Sequence, residues 1–121
     1  MSRRVDVMNN LNSVLLEGEL VEDPVLAYTK RGSAFTTFII KTRRFYETEE
    51  GDKATEESNF QIHTYNRQAE VCQEYLHAGR GVRVVGRLKQ TGGGVTVIAE
   101  HVEFKPVYKK PEVEPETVKE G

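Results

Sequence analysis

Tryptophan is absent from this sequence, and cysteine occurs once, at Cys72. A single thiol cannot close an intramolecular disulfide, nor can it supply a Cys-x-x-Cys redox pair or a zinc knuckle. Its remaining role is that of a small core residue. No apolar run approaches the ~18 residues that a membrane span requires, and the two arginines of MSRRVDVMNN are followed by no hydrophobic stretch of the kind a signal peptide carries. The expected location is therefore the cytoplasm.

Catalytic constellations are missing too. His63, His77 and His101 lie on separate stretches with no neighbouring cysteine or carboxylate pattern, so neither a metal site nor a nucleophile–base pair is formed. His77 falls near the end of a helical pattern, where it complements the helix dipole, and His101 reads as structural. The glycines Gly81 and Gly86 have phosphate-loop spacing but continue as Arg87-Leu88 inside a strand pattern, which excludes that loop. The acidic pairs Glu49-Glu50 and Glu56-Glu57 sit in polar surroundings with nothing to bury them and raise their pKa. The expectation is a protein that is not an enzyme and uses no cofactor and no metal.

The net charge of −2 argues at first against a nucleic-acid partner. Its distribution changes that reading. Residues 1–110 carry 16 Lys and Arg against 15 Asp and Glu, whereas residues 111–121 carry Lys119 against Glu112, Glu114, Glu116 and Glu120. The acidity belongs largely to the tail.

Length, at 121 residues, fits one domain with a modest core. Residues 1–11 form an N-terminal arm in which Val5 and Val7 have the spacing of a short edge strand. NSVLLEGEL, from Asn12, reads as a first strand, with Gly18 as a bulge, ending at the turn signal Asp23-Pro24. A short strand at Leu26–Thr29, a turn through Lys30-Arg31-Gly32-Ser33 and a long strand from Ala34 to about Phe45 make a hairpin. ETEEGDKATEES, residues 47–58, has six acidic side chains and no large apolar one, which predicts a mobile loop. In NFQIHTY, alternation puts Phe60, Ile62 and Thr64 on the core face and Asn59, Gln61, His63 and Tyr65 on the other.

Asn66 is placed to cap a helix through RQAEVCQEYLHA, whose apolar stripe is Ala69, Cys72 and Leu76 with Val71 and Tyr75, ending at Gly79. GVRVVGRLKQ and VTVIAEHVEF are two more strands joined by the turn Thr91-Gly92-Gly93-Gly94. From Lys105 the chain turns to proline and alternating charge, so residues 106–121 are expected to be a disordered Pro/Glu-rich tail. The element order predicts an all-β domain over residues 12–105: a five-stranded OB-fold Greek-key barrel with one α-helix between the third and fourth strands.

A basic and aromatic set remains. Lys41, Arg43, Arg44, Phe45 and Tyr46 end the long strand, Tyr65 ends the next, and Arg83, Arg87 and Lys89 alternate against Val82, Val84, Gly86 and Leu88. Cationic groups neutralise phosphates, and aromatic faces stack on unpaired bases, each stack contributing ~1–3 kcal/mol whatever the base. Single-stranded nucleic acid supplies both partners. Alternating charge also solubilises an ordinary sheet face, so the residues alone leave both readings open.

The series Asn12-x-Val-x-Leu-x-Gly-x-Leu-x-x-Asp23-Pro24, then Gly32-Ser-Ala-Phe35, Tyr65-Asn-x-x-Ala69-Glu70 and Tyr75-Leu-x-x-Gly79-x-x-Val82-x-Val-x-Gly86-x-Leu88, resembles the bacterial single-stranded DNA-binding protein family, over about Asn12 to Phe104. The resemblance implies an OB-fold domain that assembles into a homotetramer, less often a dimer, and coats single-stranded DNA in replication, recombination and repair without sequence preference. It implies stacking roles for Tyr46 and Tyr65. Three departures stand out: Asn59 replaces a stacking tryptophan, the final hairpin shrinks to Thr91-Gly-Gly-Gly, and the acidic Pro-Phe tip that recruits repair proteins is replaced by Glu-Pro-Glu-Thr-Val-Lys-Glu-Gly. These departures fit a rival reading, a primosome-type OB domain acting mainly through protein docking.

Overall fold

The computed structural model describes residues 8–106. The readings for Val5 and Val7 and for nearly all of the Pro/Glu-rich tail lie outside the described residues. Six strands and one helix follow in the order β1 (Val14–Leu20), β2 (Val25–Tyr28), β3 (Ala34–Glu47), β4 (Lys53–Tyr65), α1 (Asn66–Tyr75), β5 (Gly81–Thr91) and β6 (Gly94–Phe104). The sheet order is β1-β5-β6-β4-β3-β2, and a further β1–β3 pairing closes it into a barrel. All the ladders are antiparallel except β4–β6, which is parallel. Among the described residues β2 pairs only with β3, so the barrel has five principal strands with α1 between the third and fourth of them. This is the OB-fold that the element order predicts.

Period-2 patterning fills the barrel. Phe38 and Ile40 of β3, Ile62 of β4, Val82 and Val84 of β5 and Val97 and Ala99 of β6 meet Leu20, Cys72 and Leu76 in one core. The core row of β3 and β4 also holds two threonines. Their buried hydroxyls are satisfied: Thr36 Oγ1 donates to the Ala69 carbonyl (2.8 Å) and Thr64 Oγ1 to the Thr36 carbonyl (3.0 Å), which ties the helix to both strands. Asn12, before β1, works as a piece of strand: its Nδ2 donates to the Leu88 carbonyl (2.8 Å), and its Oδ1 accepts from the Leu88 amide (2.9 Å). Asp23 Oδ1 accepts from the Ala78 amide at 2.8 Å, which fastens the Asp23-Pro24 turn beneath the loop after the helix.

Several local expectations are corrected. The acidic segment 47–58 is a loop only at its tip. Lys53–Ser58 belong to β4, because Arg43 and Arg44 stand opposite Glu57 and Glu56 and give the polar strand an ion-paired partner. Gly18 is no bulge, since the β1–β5 register runs through it unshifted. It is instead a point of close approach, where a Cβ would strike the Lys41 backbone carbonyl as β1 crosses to β3. The register shift lies at Val85/Gly86, where a Cβ on Gly86 would strike the Ile98 carbonyl.

The helix is shorter than the sequence pattern suggests. Asn66 is its first residue, at φ 60°, and no side chain among the described residues caps it. It ends at Tyr75, which faces solvent, and Gly79 supplies a left-handed turn (φ 89°) in the loop beyond. His77 therefore lies past the helix end, with its Nδ1 against the Ala78 carbonyl.

Candidate nucleic-acid interface

Strand parity sorts the nine candidate residues. On β3 the core-facing row is Ala34, Thr36, Phe38 and Ile40, so Phe35, Thr37, Ile39, Lys41, Arg43 and Phe45 face outward, with Tyr65, His63, Gln61, Asn59, Glu57 and Thr55 opposite them on β4. Arg44 and Tyr46 take the other face. They lie where the two strands pair only with each other among the described residues, as a two-stranded ribbon running beyond the barrel. The candidates thus do not form one surface. Tyr46 stands opposite Ala54, eleven residues along β4 from Tyr65, which puts the two tyrosines roughly 35 Å apart at the rise of a β-strand.

At the barrel end, the outward face carries a cluster of rings. Phe35 lies opposite Tyr65 with ring centroids 5.1 Å apart and planes at 31°, and it meets His63 edge-on at 5.1 Å and 88°. The His63 Nε2 is buried with no hydrogen-bond partner among the described residues. Desolvation, and secondarily the nearby charge of Lys89, hold the imidazole below its ordinary pKa of 6.5, in favour of the neutral ring. Lys89 arrives from β5, where Arg87 and Lys89 stand opposite Ile98 and Thr96 of β6, and Ile98 in turn stands opposite His63 on β4. Among the described residues, Lys41 and Lys89 have no carboxylate within ion-pair distance.

The remaining candidate cations are occupied. Arg43 Nε sits 3.2 Å from Glu57 and Arg44 Nη1 3.4 Å from Glu56, while the Arg44 guanidinium also covers one side of the Tyr46 ring at 5.0 Å. Phe45, Tyr46, Glu47, Lys53, Ala54 and Thr55 line an open concavity of about 340 Å³ on the ribbon. Phe45 is 74% exposed and Tyr46 39%. Arg83 lies on a different part of the barrel wall, held by Glu17 at 2.9 Å and Glu103 at 3.4 Å. Lys105, at 3.2 Å, joins the same Glu17. Hydrogen bonds from Lys105 and then Arg83 keep the Glu17 carboxyl below its usual pKa. Arg87 is 3.8 Å from Glu100.

Alternation does send Arg83, Arg87 and Lys89 outward together. The acids of β1 and β6 nevertheless turn the predicted basic stripe into an ion-paired surface, in which Lys89 alone of the three lacks a described partner. Sequence reasoning missed Phe35 and His63. Both lay on outward positions by parity, but their meeting with Tyr65 depends on the β3–β4 register, which parity does not give. No group of three or more His, Cys, Asp or Glu side chains converges as a metal site among the described residues.

The OB barrel agrees with the comparisons. The sequence model of the single-strand binding protein family matches residues 11–104. The chain belongs to that family. Among its relatives, the single-stranded DNA-binding protein of Caldanaerobacter subterraneus subsp. tengcongensis is 37% identical over 79 residues, which are 65% of this chain and 51% of that one. The one from Bacillus cereus is 35% identical over 103 residues, covering 78% of this chain and 59% of the other. The chain spans about half the length of these relatives. The structure of the wild-type single-stranded DNA-binding protein from Thermus aquaticus superposes with a TM-score of 0.70 at 27% identity, covering 79% of this chain and 50% of that one. The Plasmodium falciparum SSB complex with single-stranded DNA shares the fold, with a TM-score of 0.73 at 20% identity over 84% of this chain and all of that one.

Proposed function

We propose that this member of the family binds single-stranded DNA without sequence preference and without catalysis, in replication, recombination and repair at the nucleoid. The observation that carries the reading is the coincidence of the family match over the whole barrel with an outward wall that carries Tyr65 and its neighbouring rings on β3 and β4 and the cations Arg87 and Lys89 on β5. Planar π-faces and a cation are the two chemistries that an unpaired nucleotide asks for. Tyr65 stacks bases and Lys89 and Lys41 hold phosphates. Tyr46, Phe45, Arg43 and Arg44 form a second contact along the ribbon once their glutamates are displaced. Arg87, with its looser pair, joins the first contact, and Arg83 contributes to the barrel wall.

Assembly into a homo-oligomer, a tetramer or else a dimer, is part of the proposal. Exposed Leu15 stands opposite half-buried Val85 on the β1–β5 wall, and among the described residues β1 pairs with β3 only at Glu19 and Leu20, which leaves most of that strand edge without a described partner.

Anisotropy titrations of dT oligonucleotides of several lengths, with duplex competitor and a salt series, on protein of known mass by light scattering, test both parts. Tight binding that prefers single strands and weakens with salt supports the reading; indifference to strandedness overturns it. One observation favours a second reading, a protein-docking OB domain: ribbon residues 43–57 carry three basic side chains against six acidic ones, a poor approach for a polyanion. Weak oligonucleotide binding would select it.

A further inference from the structure

Phe35 is a large apolar ring on an outward strand position, half-buried and flanked by two more rings. We infer that Phe35 and Tyr65 act as one two-ring platform for unpaired bases, with His63 packed edge-on against Phe35, so that Phe35 is a base-stacking residue in its own right. The inference rests on the reading of the domain as a single-stranded DNA binder.

The geometry supports a unit rather than two separate contacts. Phe35 and Tyr65 are directly opposed in the β3–β4 ladder, and with centroids 5.1 Å apart and planes tilted by only 31° they overlap partly as an offset stack, so the two side chains make one apolar body across two strands. The His63 ring packs edge-on against Phe35, with centroids 5.1 Å apart. The three are held at fixed height because Ala34, Thr36, Ile62 and Thr64, which alternate with them, are buried, and the two threonine hydroxyls lock β3 to β4 and α1. Rings positioned in this way lose little freedom when a base arrives. Burial, and secondarily the charge of Lys89, favour the neutral form of the His63 imidazole, so an uncharged ring packs against Phe35.

The test compares Phe35→Leu, Tyr65→Leu and the double variant in dT-oligonucleotide titrations, with thermal unfolding to confirm the fold. Leucine keeps apolar volume and loses the π-face. Each single change is expected to weaken binding roughly tenfold while leaving the salt slope as in the parent. The double change should weaken it by less than the product of the two, as for residues acting together. If Phe35→Leu binds like the parent while Tyr65→Leu is weakened, Phe35 only packs, and the inference fails with the DNA-binding reading intact. A parent that ignores single strands sinks both. Photo-crosslinking of the parent to a 5-iododeoxyuridine oligonucleotide bypasses any folding defect of the variants: an adduct at Phe35 supports the platform, and adducts confined to other residues overturn it.

Discussion

The two ends of the β3–β4 hairpin carry similar side chains under different constraints. At the barrel end, Phe35, His63 and Tyr65 alternate with buried Thr36, Ile62 and Thr64, so the core sets where each ring stands. At the ribbon end, Arg43, Phe45 and Tyr46 alternate with exposed neighbours and are fixed mainly by the ladder and by cross-strand pairs to Glu56 and Glu57. Exposed pairs of this kind contribute about 0–1 kcal/mol. An aromatic or basic residue is thus a preformed site only where packing on the opposite face holds its strand and where its own face stays free.

Breaking the barrel gives the largest expected effect. Ile62→Ala removes a fully buried side chain next to the ring cluster and should cost about 2–5 kcal/mol in chemical denaturation, whereas Ala54→Gly on the ribbon should cost less than about 1 kcal/mol. Equal losses would show that the ribbon is as much a part of the cooperative fold as the barrel.

Stacking is the next contrast. Tyr65→Ala should weaken oligonucleotide binding by about 1–3 kcal/mol. Tyr46→Ala should lie at or below about 1 kcal/mol, because the Arg44 guanidinium already covers one face of that ring. A larger loss at Tyr46 would move the principal contact to the ribbon.

Cations should divide in the same way. Lys89→Ala is expected to weaken binding and lower the magnitude of the logarithmic salt slope by about 0.7, the value for one phosphate on a single strand. Arg83→Ala, whose guanidinium is already held by Glu17 and Glu103, should leave the slope unchanged. Conversely, the double change Glu56→Gln and Glu57→Gln frees Arg44 and Arg43. It should tighten binding and steepen the slope, with a stability change within about 1 kcal/mol; unchanged binding would exclude the ribbon from the DNA path.

The smallest expected effect is a pH dependence. The pKa of His63 is lowered in the folded state by burial and then by Lys89, so the unfolded chain binds its proton more readily. Stability should therefore fall as the pH drops through about 6.5 and level off below the folded value. Denaturation midpoints of the parent and of His63→Val between about pH 5 and 8 measure this, and a parent whose slope matches the variant's would refute it.

Legibility in the sequence followed the same division. Strand β5 was readable because Val82 and Val84 face a core while Arg83 and Val85 do not, and periodicity records one-sided burial directly. The start of β4 was not readable. Its residues Lys53–Ser58 bury nothing large and become a strand through the partner they pair with, which no local pattern in ETEEGDKATEES reveals. Tyr46 and Tyr65 were legible as a matched pair of family positions, but not their separation to opposite ends of a hairpin.

What the sequence determined by itself was the order of elements, the core-facing rows and the chemical character of the wall, because alternation and turn residues act over a few neighbouring positions. Tertiary structure alone decided which outward residues share a surface and which cations are left without an acid. Those outcomes depend on register and on strands distant in the chain: Glu17, Arg83 and Glu103 become one ion-paired group only when β1 and β6 flank β5, and Phe35 meets Tyr65 only when thirty residues of chain fold back on themselves.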